Sequence, residues 1–291
     1  MDWQGQRESS NVEDRRAAGP AVAAGGGVLT LVAVAIAYFL GVDPRAVKPV
    51  IDKIGGRLGD QQQKDRPPPT EDEHYRFSRK VLGSTEEVWD RLFRQNFREE
   101  YEQPRMVLFA KSVDSGGCGV APSEVGPFYC PASKKVFLDP TFFDELEQKL
   151  GGDKGDASRA YVVAHEVGHH IQNLIGYNAM LEKYRAREGE NGGIRLELQA
   201  DYLAGVWAHH AAKENPRLFN RADMDSIIKT AQSIGDDRIQ KKMRGKAWPE
   251  SFNHGRADQR QKYFMKGFET GDASKQALDH FFNSNIAPLD L

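Results

Sequence analysis

Two histidines four residues apart, His165 and His169, with a glutamate directly after the first, constrain this chain more than any other feature. On an α-helix, residues i and i+4 lie on one face, so both imidazoles can point at a single ion. Zinc suits such a pair, and Glu166, rotated off the ligand face, stays close enough to a water at the ion to act as general base. The surrounding pattern predicts the helix that this arrangement needs. Val163, Val167, Ile171 and Leu174 recur at steps of three and four, Asp156 or Ser158 can cap the start, and Gly176 can end it.

A zinc that does chemistry takes three protein ligands and keeps one position open, so a third ligand is required. A metzincin would continue with glycine and histidine at positions 172 and 175, which here are Gln172 and Ile175. The better candidate lies on the next amphipathic stretch, residues 195–208, where Leu196, Leu203, Val206 and Trp207 form an apolar surface and Glu197 and Asp201 stand four apart on another face. Glu197 reads as the third ligand. Asp201 reads as the carboxylate that accepts the remaining N–H of a ligand histidine and fixes its ring. The plainer alternative is two solvated acids on a helix surface.

The motif helix followed by a helix carrying Glu197 and Asp201 looks like the gluzincin arrangement of thermolysin-like peptidases. More closely, the chain resembles the bacterial neutral zinc metallopeptidase family typified by YpfJ. The likeness rests on Trp3 to Arg16, on the Gly-Pro-Phe-Tyr-Cys-Pro run at 126–131, and on His254 to Arg260. It implies Zn2+, a peptide or protein substrate, and a donor aimed at the oxyanion, for which His254 is the candidate. Asn253 and Arg256 depart from the threonine-flanked His-Gly usual in the family. A hydrogen-bonded structural histidine is the alternative there, with Tyr202, Arg256 and Arg260 as other possible donors.

The 291 residues suffice for one substantial domain plus an appendage, and a net charge of −2 with scattered lysine and arginine makes no electrostatic case for nucleic acid. Residues 1–20 are polar with both signs of charge and predict a mobile tail. Residues 21–40 carry no charge and are about long enough to cross a bilayer, so they predict an uncleaved transmembrane anchor. Residues 41–70, with glycines, glutamines and three prolines, read as a linker to a domain over 71–291. The flanking positive charges do not decide the orientation. Cys118 and Cys130, the only cysteines, flank a Gly- and Pro-containing loop. A disulfide there would put the domain in an oxidising compartment outside the cytoplasm, and free thiols or a zinc-binding pair are the alternatives.

Within the domain, Val88, Trp89, Leu92, Phe93 and Phe97 predict a helix capped by Ser84 or Thr85, and residues 223–243 predict another. Met106–Ala110 and Lys135–Leu138 predict short strands. The expected architecture is mostly helical α+β, a zincin-like metallopeptidase domain behind a single N-terminal transmembrane helix. The competing class is a membrane-tethered binding or scaffold protein with a structural or inactive zinc site.

Overall fold

Met106, Val107 and Leu108 are all buried, as befits a central strand covered on both faces. The computed structural model describes residues 1–17, 72–283 and 285–291. Its strands are β1 (Val12–Asp14), β2 (Arg105–Leu108), β3 (Ser112–Asp114), β4 (Val120–Pro122), β5 (Phe128–Cys130) and β6 (Lys135–Leu138). The main sheet has the order β1-β2-β6-β5, with β1, β2 and β6 parallel and β5 antiparallel at the edge. Alternation splits the two central strands between two apolar clusters. Met106, Leu108, Val136 and Leu138 face the helices, while Val107, Phe109, Phe137 and Cys130 form a smaller cluster on the other side. Strands β3 and β4 pair as a separate hairpin, and a Cys118–Cys130 disulfide with a Cα–Cα distance of 5.9 Å ties it to β5.

The helices are α1 (Glu73–Asn96), α2 (Phe142–Glu145), α3 (Asp156–Leu174), α4 (Leu181–Glu188), α5 (Ile194–Glu214), α6 (Arg221–Ser233), α7 (Asp236–Arg244), α8 (Ala257–Thr270) and α9 (Lys275–Asp279). Helix α1 starts a full three turns before the expected caps. Asp72 accepts the Tyr75 N–H at its N-terminus, and Ser84 and Thr85 lie buried inside it. The helix expected over 223–243 is two, broken at Ile234 and Gly235.

Glycines set how closely the central helices approach. A Cβ on Gly205 would sit 2.1 Å from the Phe264 carbonyl oxygen, and one on Gly267 would sit 2.0 Å from that of Tyr202. Helices α5 and α8 therefore meet backbone to backbone. Gly168, inside the histidine motif, does the same less tightly for α3, its Cβ position lying 3.0 Å from the Ala200 carbonyl oxygen. That approach brings the motif face of α3 against the acidic face of α5.

The polar opening segment is not a tail. Several of its charges and donors find partners in the domain: the Trp3 indole N–H donates to Asp156 at 2.8 Å, and Arg16, paired with Asp14 beside it, also reaches Asp72. Glu86, only 1% exposed, accepts from Ser9 Oγ and Asn11 Nδ2 at 2.7 Å each and pairs with Arg7. The segment crosses α1 at Gly83, where a Cβ would lie 2.2 Å from the Arg7 carbonyl oxygen. It ends as β1, in parallel register with β2 from Val12 opposite Met106. Deleting residues 1–17 should therefore remove β1 from the sheet together with the partners of Glu86, at a cost of about 3–5 kcal/mol, the scale of losing the partner of a buried charge. Urea unfolding followed by circular dichroism checks this, and an unchanged midpoint would refute the structural role of the segment.

The same geometry corrects the membrane expectation. The expected anchor at 21–40 and linker at 41–70 lie outside the described residues, and among the described residues no helix is long and apolar enough to cross a membrane. A single crossing between residues 17 and 72 would also put β1 and its hydrogen-bonded partner β2 on opposite sides of a bilayer. The single-pass transmembrane helix does not hold, and the localisation as a single-pass membrane protein falls with it.

Candidate metal centre

Helix α3 runs through the centre of the domain, with Ala160, Tyr161, Val163, Val167 and Ile171 buried. Burial of that face turns His165, Glu166 and His169 toward α5. His165 Nε2 lies 3.2 Å from one oxygen of Glu197, and His169 Nε2 lies 3.5 Å from the other. The three side chains offer one ligand atom each within 4.8 Å of one another. A tetrahedral zinc with bonds of about 2.0–2.1 Å sets its ligand atoms roughly 3.3–3.4 Å apart, so the donor set fits that ion in chemistry, and the two histidine–glutamate distances are close to that spacing.

What fixes the rings is as informative as the ring positions. His165 Nδ1 is 2.8 Å from Asp201 Oδ1. A ring that donates its Nδ1 hydrogen to a carboxylate keeps its lone pair on Nε2, the atom facing Glu197. Asp201 is fully buried and also accepts from the Tyr161 hydroxyl at 2.5 Å and from Arg260 Nε and Nη2 at 2.8 and 3.0 Å. His169 Nδ1 is held at 2.8 Å by Gln172 Oε1, and the Gln172 amide donates in turn to the Leu196 carbonyl at 2.6 Å. Both rings thus present Nε2 to the same point.

The charges reinforce one another. Burial opposes charge on His165, but the Asp201 carboxylate outweighs it and lifts the imidazole pKa to about 10, so a metal must displace that proton to bind. Burial also works against ionised Glu197, yet His169, His165 and His254 hold its carboxyl well below the usual range. Glu166 goes the other way: burial pushes its carboxyl up, with the two histidines pulling against it. An upward shift is the direction that strengthens a carboxylate as a base.

His254 precedes α8 in a loop clamped by Asp236. One oxygen of Asp236 accepts the backbone N–H groups of Asn253, His254 and Gly255 at 2.8, 2.7 and 3.1 Å, and the other is 3.1 Å from His254 Nδ1. Burial pulls the His254 pKa down, but Asp236 and Glu197 overcome it and raise it. The other candidate donors are engaged elsewhere: the Tyr202 hydroxyl donates to the Asp272 carbonyl, Arg256 bonds Asp258 and the Leu289 carbonyl, and Arg260 bonds Asp201.

Sequence reasoning did not find Tyr161, Gln172 or Asp236. Tyr161 and Gln172 had a usable signal, because they sit four before His165 and three after His169 on the same helix face. Asp236 had none, since its partner is 18 residues away across a helix break. Replacing Asp201 with asparagine should lower zinc affinity about 10- to 100-fold by loosening His165. It should also lower the melting temperature, because Arg260 loses its buried counter-charge. Zinc competition with a chromophoric chelator and a thermal melt check both effects.

The family model described as "Putative neutral zinc metallopeptidase" matches residues 1–279. The chain is 38% identical over 290 residues to the uncharacterized protein YpfJ of Escherichia coli K12, covering 94% of this chain and 97% of YpfJ. It is 43% identical over 202 residues to the uncharacterized protein Rv2575 of Mycobacterium tuberculosis H37Rv, 65% of each chain. No solved structure matches significantly.

Proposed function

The chain belongs to the neutral zinc metallopeptidase family, and from that premise we propose that it hydrolyses peptide bonds at the site formed by His165, His169 and Glu197. The observation that carries this reading is the convergence of two Nε2 atoms and one carboxylate within 4.8 Å of one another, with a buried glutamate beside them. Zinc bound there supplies Lewis-acid polarisation of the scissile carbonyl and makes water more acidic. Glu166 takes the proton of the attacking water and returns it to the departing amine, the two halves of general acid–base catalysis. Asp201 and Gln172 keep the ligand rings oriented through the cycle. His254, held through Nδ1 by Asp236, serves as the donor that stabilises negative charge on the carbonyl oxygen.

A closed structural zinc site would use four protein ligands. Among the described residues, the group able to hold a metal has three members, which leaves a position for substrate chemistry. Profiling the full-length, zinc-loaded chain against a broad peptide library, with chelator and then with zinc restored, tests the reading. Cleavage that vanishes with chelator and returns with zinc is expected. No cleavage by the zinc-loaded protein across the library would sink it.

A further inference from the structure

Away from the metal centre, the strongest unassigned feature is the stretch from Arg238 to Lys246. Arg238, Lys241, Lys242, Arg244 and Lys246 place five cations and no acid within nine residues of a chain whose net charge is −2. Arg238, Lys241, Lys242 and Lys246 are exposed. Met243, at 57% the one large apolar side chain exposed among the described residues, stands among them.

Cations in the last turn of a helix offset its dipole, which accounts for Lys241, Lys242 and Arg244. It does not account for Arg238 in the first turn, where the dipole disfavours a cation, or for Lys246 beyond the Gly245 cap. Asp237, 4.0 Å from Arg238, is the acid paired within this helix, and Glu250 is the next acid along the chain.

This helix is built into the rim of the metal centre. Its first residue, Asp236, clamps His254, and Gln240 accepts the Trp248 N–H at 2.9 Å and donates to Ser251 Oγ at 3.0 Å. Helix α7 and the 248–255 segment are therefore one body. Lys241 lies roughly 7–8 Å and Met243 roughly 10 Å along the axis from Asp236. Extended peptide covers about 3.3 Å per residue, so about three residues span that distance.

We propose that α7 and its C-terminal turn are an exosite for an acidic stretch of the polypeptide substrate flanking the bond to be cleaved; this assignment rests on the peptidase reading. Lys241, Lys242 and Lys246 supply the charge complement, Arg238 extends it toward His254, and Met243 gives an adaptable apolar contact among the charges. An anionic lipid surface is the competing occupant. A nine-residue helix with one exposed apolar side chain offers little to bury in a bilayer interface, whereas its covalent and hydrogen-bonded link to His254 ties it to the site.

The test is fluorescence anisotropy of two labelled peptides of equal length, one with a run of Asp and Glu and one with Asn and Gln in their place. Both are titrated with the full-length, zinc-loaded Glu166→Gln protein, so that hydrolysis does not enter. The acidic peptide should bind about tenfold tighter at low ionic strength, and this preference should shrink to within about twofold in high salt or in the Lys241→Gln/Lys242→Gln/Lys246→Gln variant. With Glu166 restored, that triple variant should still cleave the neutral peptide at the unmodified rate within about twofold. Equal binding of the two peptides, or a preference that survives the triple substitution, overturns the exosite. So does a triple variant that loses affinity for anionic phospholipid vesicles while keeping the peptide preference. Tighter binding of the acidic peptide without cleavage of either by the unmodified protein would count against the peptidase reading and not against this surface.

Discussion

Replacing Glu166 with glutamine should leave the zinc content near that of the unmodified protein and lower peptide turnover by about 10²- to 10⁴-fold, the range that general acid–base catalysis contributes. Glutamine matches the shape of the buried side chain and removes only its capacity to take and return a proton. Glu166 is 7% exposed and feels the charges of His169, His165 and Glu197 without belonging to the three-atom cluster that can hold the metal. The metal set should therefore survive. Steady-state hydrolysis of one library-derived peptide, beside metal analysis of the same preparation, separates the two effects. A variant that keeps its zinc and cleaves at the original rate would rule out Glu166 as the base.

Glu197→Gln should show the opposite signature. It exchanges an anionic ligand for a neutral amide between two imidazoles, so zinc affinity itself should fall, by at least about 100-fold, and turnover should fall with it at limiting metal. The local charge balance sharpens the expectation. Glu197 is held ionised by His169, His165 and His254, and it bridges the rings of His165 and His169, at 3.2 and 3.5 Å. His165→Ala or His169→Ala should reduce binding further still, because each leaves two protein ligands. Chelator competition on the four proteins, with circular dichroism as the control for folding, gives the ordering. Full zinc occupancy in any of these variants would remove that residue from the ligand set.

The two experiments divide the site along its physical seam. The proposed ligands lie on two crossing helices whose approach is set by Gly168 over Ala200, while Glu166, the proposed base, is a buried residue of one of them. Arg260 joins the third helix to this pair by bonding both oxygens of Asp201. A change that separates the helices should thus weaken metal binding without touching a ligand, which is why Asp201→Asn is expected to affect both affinity and melting.

Much of this was written in local pattern. The period of Val163, Val167, Ile171 and Leu174 marked α3, and four-residue spacing put His165 with His169 and Glu197 with Asp201, because a helix places such pairs on one face whatever surrounds it. The β-prone runs at 106–110 and 135–138 became adjacent central strands, and the two cysteines form the disulfide, each within reach of a short-range signal. Tertiary structure decided the rest. That Glu197 meets both histidines depends on a helix crossing, and the Asp201–Arg260 and Asp236–His254 pairs join residues 59 and 18 apart. No periodicity encodes such pairs, because buried charges find partners by proximity after packing. The opening segment misled for the same reason: its mixed charges read as solvated when counted along the chain, yet Arg16 and Arg7 pair across space with Asp72 and Glu86, and the Trp3 indole bonds Asp156, once β1 lies beside β2. That pairing places residues 12–14 and 106–108 in one sheet, and with it the long uncharged run between them lost the reading as a single crossing that its composition alone had invited.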